Sequence, residues 1–321
     1  MIRLDEVDWG GVPPNGIPPL EYPAHLAAAD AEYLDDDNIV FGIAVNGEAS
    51  AYPKRILAWH EMAIDRVGGI ELTIVYCTLC GTVIPYESLV DGQHIRFGTS
   101  GLLYRSNKVM FDHGTKSLWN TFEGVPVIGS LVGSGLQLTR RSMVTTTWGE
   151  WRARHPETTV LSLETWQQCD YSEGGAYRDY FSTDQLMFQV QARDDRLDNK
   201  DEVVVMLFDD PAGGARHPVA LSVDFLADHP VFQAEAAGHP FVVVTSPDTA
   251  RTACIAPAGI GSSDASTMSG WPTRTVGCGG GHQGRACGGG RRRRGYRRTG
   301  RSGSGGSPDF PRSSCLRTRV L

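Results

Sequence analysis

At 321 residues the chain is long enough for one large domain or two ordinary ones, and a hydrophobic content of 40% is enough for a buried core. The formal charge of −7 is unevenly spread: from Thr252 onward twelve arginines face two acids, Asp264 and Asp309, so the first 251 residues carry −17. An acidic surface with only four lysines (Lys54, Lys108, Lys116 and Lys200) repels nucleic acid and anionic lipid, and no apolar run approaches the ~18 residues of a membrane-spanning helix.

The start, Met1 to Trp9, is acidic and lacks the apolar stretch of a secretory leader, so a cytoplasmic protein is expected. In that compartment seven cysteines point to free thiols or a metal site rather than a disulfide scaffold. The lysine-poor, acidic surface suits a salt-adapted host, and a GC-rich genome that prefers arginine codons explains it equally well.

Residues 1–37 form an N-terminal segment, Pro-rich and then acidic, with a short helix expected over Ala24–Leu34. Strands follow. Ile39–Val45 leads into Asn46-Gly47, which supplies positive φ at little cost and marks a hairpin returning along Ala49–Tyr52. Pro53 stops that strand, and Ile56–Ile64 reads as one or two helical turns carrying Trp59, His60 and Glu61. Leu72–Tyr76 is a β-branched strand running into Cys77. Further short strands are expected at Thr82–Tyr86, Gln93–Phe97, Leu102–Tyr104 and Val109–Phe111, with Phe97–Gly101 as a small-residue turn between them. Trp119 reads as core. Trp148–Arg154 reads as an amphipathic helix closed by Pro156, and Cys169 stands alone.

The later chain echoes the earlier one. Val203–Phe208, the glycines Gly213-Gly214 and Arg216-His217-Pro218 parallel Ile39–Val45, Asn46-Gly47 and Ala51-Tyr52-Pro53. Ala237–Ser246 likewise parallels Gly68–Cys77, with Ser246 standing where the first copy has Cys77. The expected fold is mainly β (β-rich α+β): two related β-rich halves with a few short helices, 38–165 and 166–251, and a disordered tail over 252–321. That tail is rich in Arg and Gly with almost nothing apolar. It reads as a shifted reading frame in a GC-rich gene; a disordered basic segment is the alternative.

Chemistry concentrates at Tyr76-Cys77-Thr78-Leu79-Cys80-Gly81, where a strand gives way to a turn. Two cysteines three apart at a turn aim both sulfurs at one point, which suits reversible disulfide formation or coordination of a soft metal. No second pair of this spacing occurs before the tail, which excludes a four-cysteine zinc site within one chain. His60 is the added candidate, either as a base that holds a thiolate or as a third ligand beside Cys77 and Cys80 for zinc or copper; a His60 that only caps or packs in the core is the other reading. Further ligands would come from His60-Glu61 and Asp112-His113, with His60 and Asp65 bracketing a site near the cysteines. A buried, inert cysteine pair in a non-catalytic binding module is the third reading.

These residues resemble a family known only as domain of unknown function 3179. The resemblance runs over roughly residues 20–251. It is carried by Asn46–Pro53, Trp59-His60-Glu61 with Asp65, Tyr76–Thr82, Phe97–Tyr104, Asp112 with Ser117-Leu118-Trp119, and Thr147-Trp148 with His155-Pro156. Some members carry selenocysteine in the Cys-x-x-Cys element, which implies redox use rather than structural zinc. The chain departs from the family at Met62-Ala63-Ile64 and in lacking its closing C-terminal strands, so an open sheet edge is expected in the second half. The leading expectation is a thiol–disulfide redox protein using Cys77, Cys80 and His60. Its partner would be a thiol or a small molecule, with no nucleic acid and no membrane.

Overall fold

The structure, a computed structural model, describes residues 2–190, 196–208, 210, 213 and 217–246, together with the backbone of 251–255 and 316–319. Its organising element is the strand Ile70–Cys77, in which every residue from Leu72 to Cys77 is buried. A strand with one wet face alternates buried and exposed residues, so a continuous buried run means that both faces are covered.

That is the arrangement found. The middle sheet runs in the order Leu20–Glu21, Met62–Val67, Ile70–Cys77, Thr82–Glu87. On one face Leu72, Ile74 and Tyr76 pack with Phe41, Ile43 and Tyr52 from a five-stranded sheet. That sheet is ordered Val144–Thr147, Ile39–Val45, Glu48–Pro53, Thr159–Leu161, His25–Ala27. On the other face Met62, Val75 and Ile84 pack with Phe97, Met110 and Trp119 of a second five-stranded sheet. Its order is Val7–Trp9, Phe97–Tyr104, Asn107–Asp112, Leu118–Asn120, Val125–Ile128. Each of these large side chains contributes about 1.5–3 kcal/mol by leaving water.

The Asn46-Gly47 hairpin is present, with φ of 50° and 84° at the two positions, the pairing that matches strand twist. The helix after Pro53 spans Lys54–His60, shorter than expected, because Met62–Val67 leaves it to pair antiparallel with Ile70–Cys77. The helix Trp148–Arg154 is capped by Thr147, whose side chain accepts from the Glu150 amide. Trp119 is fully buried, as expected.

Several local expectations are corrected. The alanine-rich stretch 24–34 is not an α-helix: His25–Ala27 is a strand and Ala28–Asp30 a short 3-10 turn. Pairing of Leu26 with Val160 at the sheet edge outweighs intrinsic helix propensity. Phe97–Gly101 is not a turn but the first part of the strand Phe97–Tyr104, bulged between Thr99 and Leu102. Gln93–Phe97 is divided, since Gln93–His94 pairs with Leu89–Val90 while Phe97 opens the next strand.

The order strand, strand, helix, strand, strand occurs twice. It runs Ile39–Val45, Glu48–Pro53, Lys54–His60, Met62–Val67, Ile70–Cys77, and again Glu202–Phe208, His217–Ser222, Val223–Asp228, Val231–Ala236, His239–Ser246. Cys77 and Ser246 close the last strand of each set. Leu316–Arg319 pairs with Glu202–Val205, and Arg251–Ile255 pairs with Val242–Ser246, so each of these two sheets has three strands. The rest of the expected disordered tail, 256–315 and 320–321, lies outside the described residues. Among the described residues no helix is long and apolar enough to cross a membrane.

Candidate functional site

Cys77 is the last residue of its strand, and the chain turns at once. The Gly81 amide donates to the Cys77 carbonyl at 2.8 Å, and Gly81 adopts φ of 69°, a region that glycine enters without steric cost. The Thr78 hydroxyl donates to the Ala58 carbonyl at 3.2 Å, tying the turn to the preceding helix. Both cysteines are free thiols and both are buried, 2% and 3% exposed. The turn therefore does bring Cys77 and Cys80 together.

Their surroundings are polar beneath and apolar above. From the neighbouring sheet, Asn107 Nδ2 donates to Cys80 Sγ at 3.0 Å, and the Thr82 hydroxyl oxygen lies 3.5 Å from the same sulfur. Lys108, the next residue, places its ammonium 2.8 Å from the Glu61 carboxylate in a pair that is almost wholly enclosed. Glu61 is held for this by φ of 56°, unusual outside glycine, at the end of the Lys54–His60 helix. Its carbonyl accepts from the Tyr76 amide at 2.8 Å, and its second carboxylate oxygen is 3.4 Å from the Tyr177 hydroxyl.

The two thiols differ in how readily they ionise. Burial pushes both up. At Cys77 this is outweighed by the hydrogen bond from the Cys80 thiol, against the opposing Glu61 charge, with help from the Cys80 and Lys108 backbone amides, and the net direction is downward. At Cys80 burial and the neighbouring Cys77 sulfur both act upward, leaving it well above the ordinary thiol range.

The segment 177–190 closes the site. Leu79 and Leu103 pack around the cysteines together with Tyr180 and Phe188, flanked by Tyr177 and Leu186. The Lys200 ammonium anchors this cover, donating to the Tyr180 carbonyl at 2.5 Å and to the Thr183 carbonyl, and lying 3.8 Å from the Tyr180 ring centre. Trimming it with Phe188→Ala should raise the rate at which a bulky aromatic disulfide modifies Cys77 by about tenfold, because the cover then opens more often. Stopped-flow release of the coloured thiol reads that rate.

His60 is not with the sulfurs. Its Nδ1 donates to the Pro18 carbonyl at 3.0 Å, and its Nε2 accepts from the Tyr171 hydroxyl at 2.5 Å. The ring is fully buried, and burial lowers its pKa below the ordinary 6.5, against the Pro18 hydrogen bond. The unfolded chain therefore takes up a proton at His60 before the folded one does. The stabilisation is complete above about pH 6.5 and is lost as pH falls through that value toward the lower folded one. Urea midpoints should drop on acidification over this window, and less steeply in His60→Gln.

Asp65 is also elsewhere. It accepts from His25 Nε2 at 2.7 Å, the Tyr52 hydroxyl at 2.7 Å and the Arg66 amide at 2.8 Å, joining two sheets. Asp112 holds the Thr115 turn and the Trp119 indole. Among the described residues no group of three His, Cys, Asp or Glu side chains is placed to hold a metal ion. The site residues that sequence reasoning passed over are Asn107 and Lys108. One signal was available: Lys108 is one of four lysines and directly precedes the apolar run Val109–Phe111.

A family model described as a protein of unknown function, DUF3179, matches residues 14–293, which carries the likeness past residue 251, where the sequence reading ended it. No curated protein and no solved structure matches the chain.

Proposed function

The chain belongs to the DUF3179 family, and on its site geometry we propose that it performs thiol–disulfide chemistry, with Cys77 as the attacking thiolate and Cys80 as the thiol that closes the disulfide. The observation that carries this reading is one turn holding two free thiols together, with the Asn107 amide on Cys80 and the enclosed Glu61–Lys108 ion pair alongside; a Cys77 thiol lowered and a Cys80 thiol raised accord with it. A thiolate beside a protonated thiol is the pairing that exchange requires: one sulfur attacks and the other later displaces it. An inert pair in a core needs neither the Asn107 amide on Cys80 nor a buried ion pair alongside.

In this reading His60 positions rather than reacts. Its hydrogen bonds to Pro18 and Tyr171 fix the end of the helix from which Glu61 projects. The charges near Cys77 belong to Glu61 and Lys108. Zinc or copper held by Cys77, Cys80 and His60 has no observation in its favour. We also read the repeated strand, strand, helix, strand, strand order as a duplication in which the first copy keeps the chemistry, since Ser246 ends the second where Cys77 ends the first.

The test uses the full chain equilibrated in glutathione buffers of graded oxidation, with free thiols counted by alkylation and mass. Two thiols should disappear together as an intramolecular Cys77–Cys80 disulfide, and Cys77→Ser or Cys80→Ser should each abolish the transition. Thiols that stay reduced at every ratio would end the proposal.

A further inference from the structure

Two features of the Cys77–Cys80 site select its oxidant. The first is enclosure. With the sulfurs 2% and 3% exposed beneath Tyr180 and Phe188, a protein disulfide cannot align its S–S bond with Cys77 while the cover is closed. A small neutral molecule needs far less opening.

The second is an acceptor without a donor. Asn107 is 5% exposed, and its Nδ2 is engaged by Cys80. Its Oδ1 is buried and has no hydrogen-bond partner among the described residues. Leaving such an atom unpaired is destabilising, and the donation from Nδ2 to the Cys80 sulfur holds the amide with its oxygen as the unpaired atom. The fold thus keeps, beside the reacting sulfurs, an oxygen that a ligand O–H group satisfies.

We propose that the oxidising substrate of the Cys77–Cys80 pair is a small hydroperoxide whose terminal O–H donates to Asn107 Oδ1. This rests on the thiol–disulfide reading above and narrows it. Cys77 sulfur attacks the terminal peroxide oxygen; the S–O bond forms as the O–O bond breaks, and the leaving alkoxide takes the proton given up by the Cys77 thiol. The products are a Cys77 sulfenic acid and an alcohol, or water when the substrate is hydrogen peroxide. Cys80 sulfur then attacks Cys77, forming the disulfide and releasing water with the Cys80 proton. An external dithiol supplies two electrons and two protons to restore both thiols, becoming a disulfide itself. This half-reaction requires the cover to be open.

The experiment mixes the reduced full chain with hydrogen peroxide and, separately, tert-butyl hydroperoxide, following thiol loss by quenched mass spectrometry. The wild-type rate constant should exceed that of a free thiol by about 100-fold, as expected of an oriented encounter. Asn107→Ala should lower it by about tenfold, the worth of one hydrogen bond to the reacting group. Cys80→Ser should accumulate the sulfenic acid at Cys77, trapped as its dimedone adduct, which reports independently of how well the Asn107 variant folds. A wild-type chain that forms the disulfide in glutathione buffers yet meets both peroxides no faster than a free thiol would overturn this inference alone. A chain that forms no disulfide with any oxidant would overturn the underlying reading as well.

Discussion

Replacing Lys108 by methionine should lower the free energy of unfolding by about 3–5 kcal/mol, because it leaves the Glu61 carboxylate enclosed without its counter-charge. The loss comes less from the attraction forgone than from desolvation that nothing then offsets. Glu61 has little freedom to escape: its backbone is held at φ of 56°, and its carbonyl is bound by the Tyr76 amide. Glu61→Gln combined with Lys108→Met removes both charges and should recover most of the loss. Equilibrium urea unfolding of the two single variants and the double closes the cycle. If Lys108→Met alone were neutral, Glu61 would have to find water, and the site would be wetter than its burial says.

The second large effect concerns how the thiols ionise. In the wild-type chain Cys77 gives up its proton below the ordinary thiol value of 9.0, and Cys80 holds its own well above it. Cys80→Ala removes the hydrogen bond that most lowers Cys77, leaving burial and the Glu61 charge to act, so the Cys77 titration should move upward. Cys77→Ala leaves Cys80 buried with no neighbouring sulfur to raise it, so its titration should move down from its wild-type position while burial still holds it high. Thiolate absorbance followed against pH in the two variants reads both shifts. Movement of Cys77 downward in Cys80→Ala would show that the two sulfurs do not communicate, and the assignment of attacking and resolving roles would fail with it.

How much of this was legible in the sequence depends on separation along the chain. Asn46-Gly47 and Cys77–Cys80 are local signals: the turn chemistry of the first and the spacing of the second each lie within a few residues, and the structure has the hairpin at one and a single turn holding both cysteines at the other. The partners of the sulfurs were not legible. Lys108 lies 47 positions from Glu61, and Asn107 lies 27 from Cys80; they meet only because the Asn107–Asp112 strand stacks on the middle sheet. His60 was named as the partner of the thiols, but the left-handed backbone of Glu61 at the end of the helix places that carboxylate on Lys108 beside them. The imidazole faces Pro18 and Tyr171 instead. The helix expected over 24–34 failed for the same reason in reverse, since a strand partner at Val160 was invisible to local propensity. The cover over 177–190 has no periodic pattern to read beyond the single turn Arg178–Phe181.

That cover has a bearing on timing. Outside Arg178–Phe181 it carries no regular hydrogen-bonded ladder, and it is held by an ammonium on two carbonyls, by isolated hydrogen bonds to Glu61, Asp8 and Asn199, and by a few aromatic contacts. Such a segment lifts as a small cooperative unit, while the strand below lets go only when the whole fold does. Deuterium should enter the amides of 177–190 long before those of Leu72–Cys77. The interval between the two is the range over which the sulfurs become available without the protein coming apart.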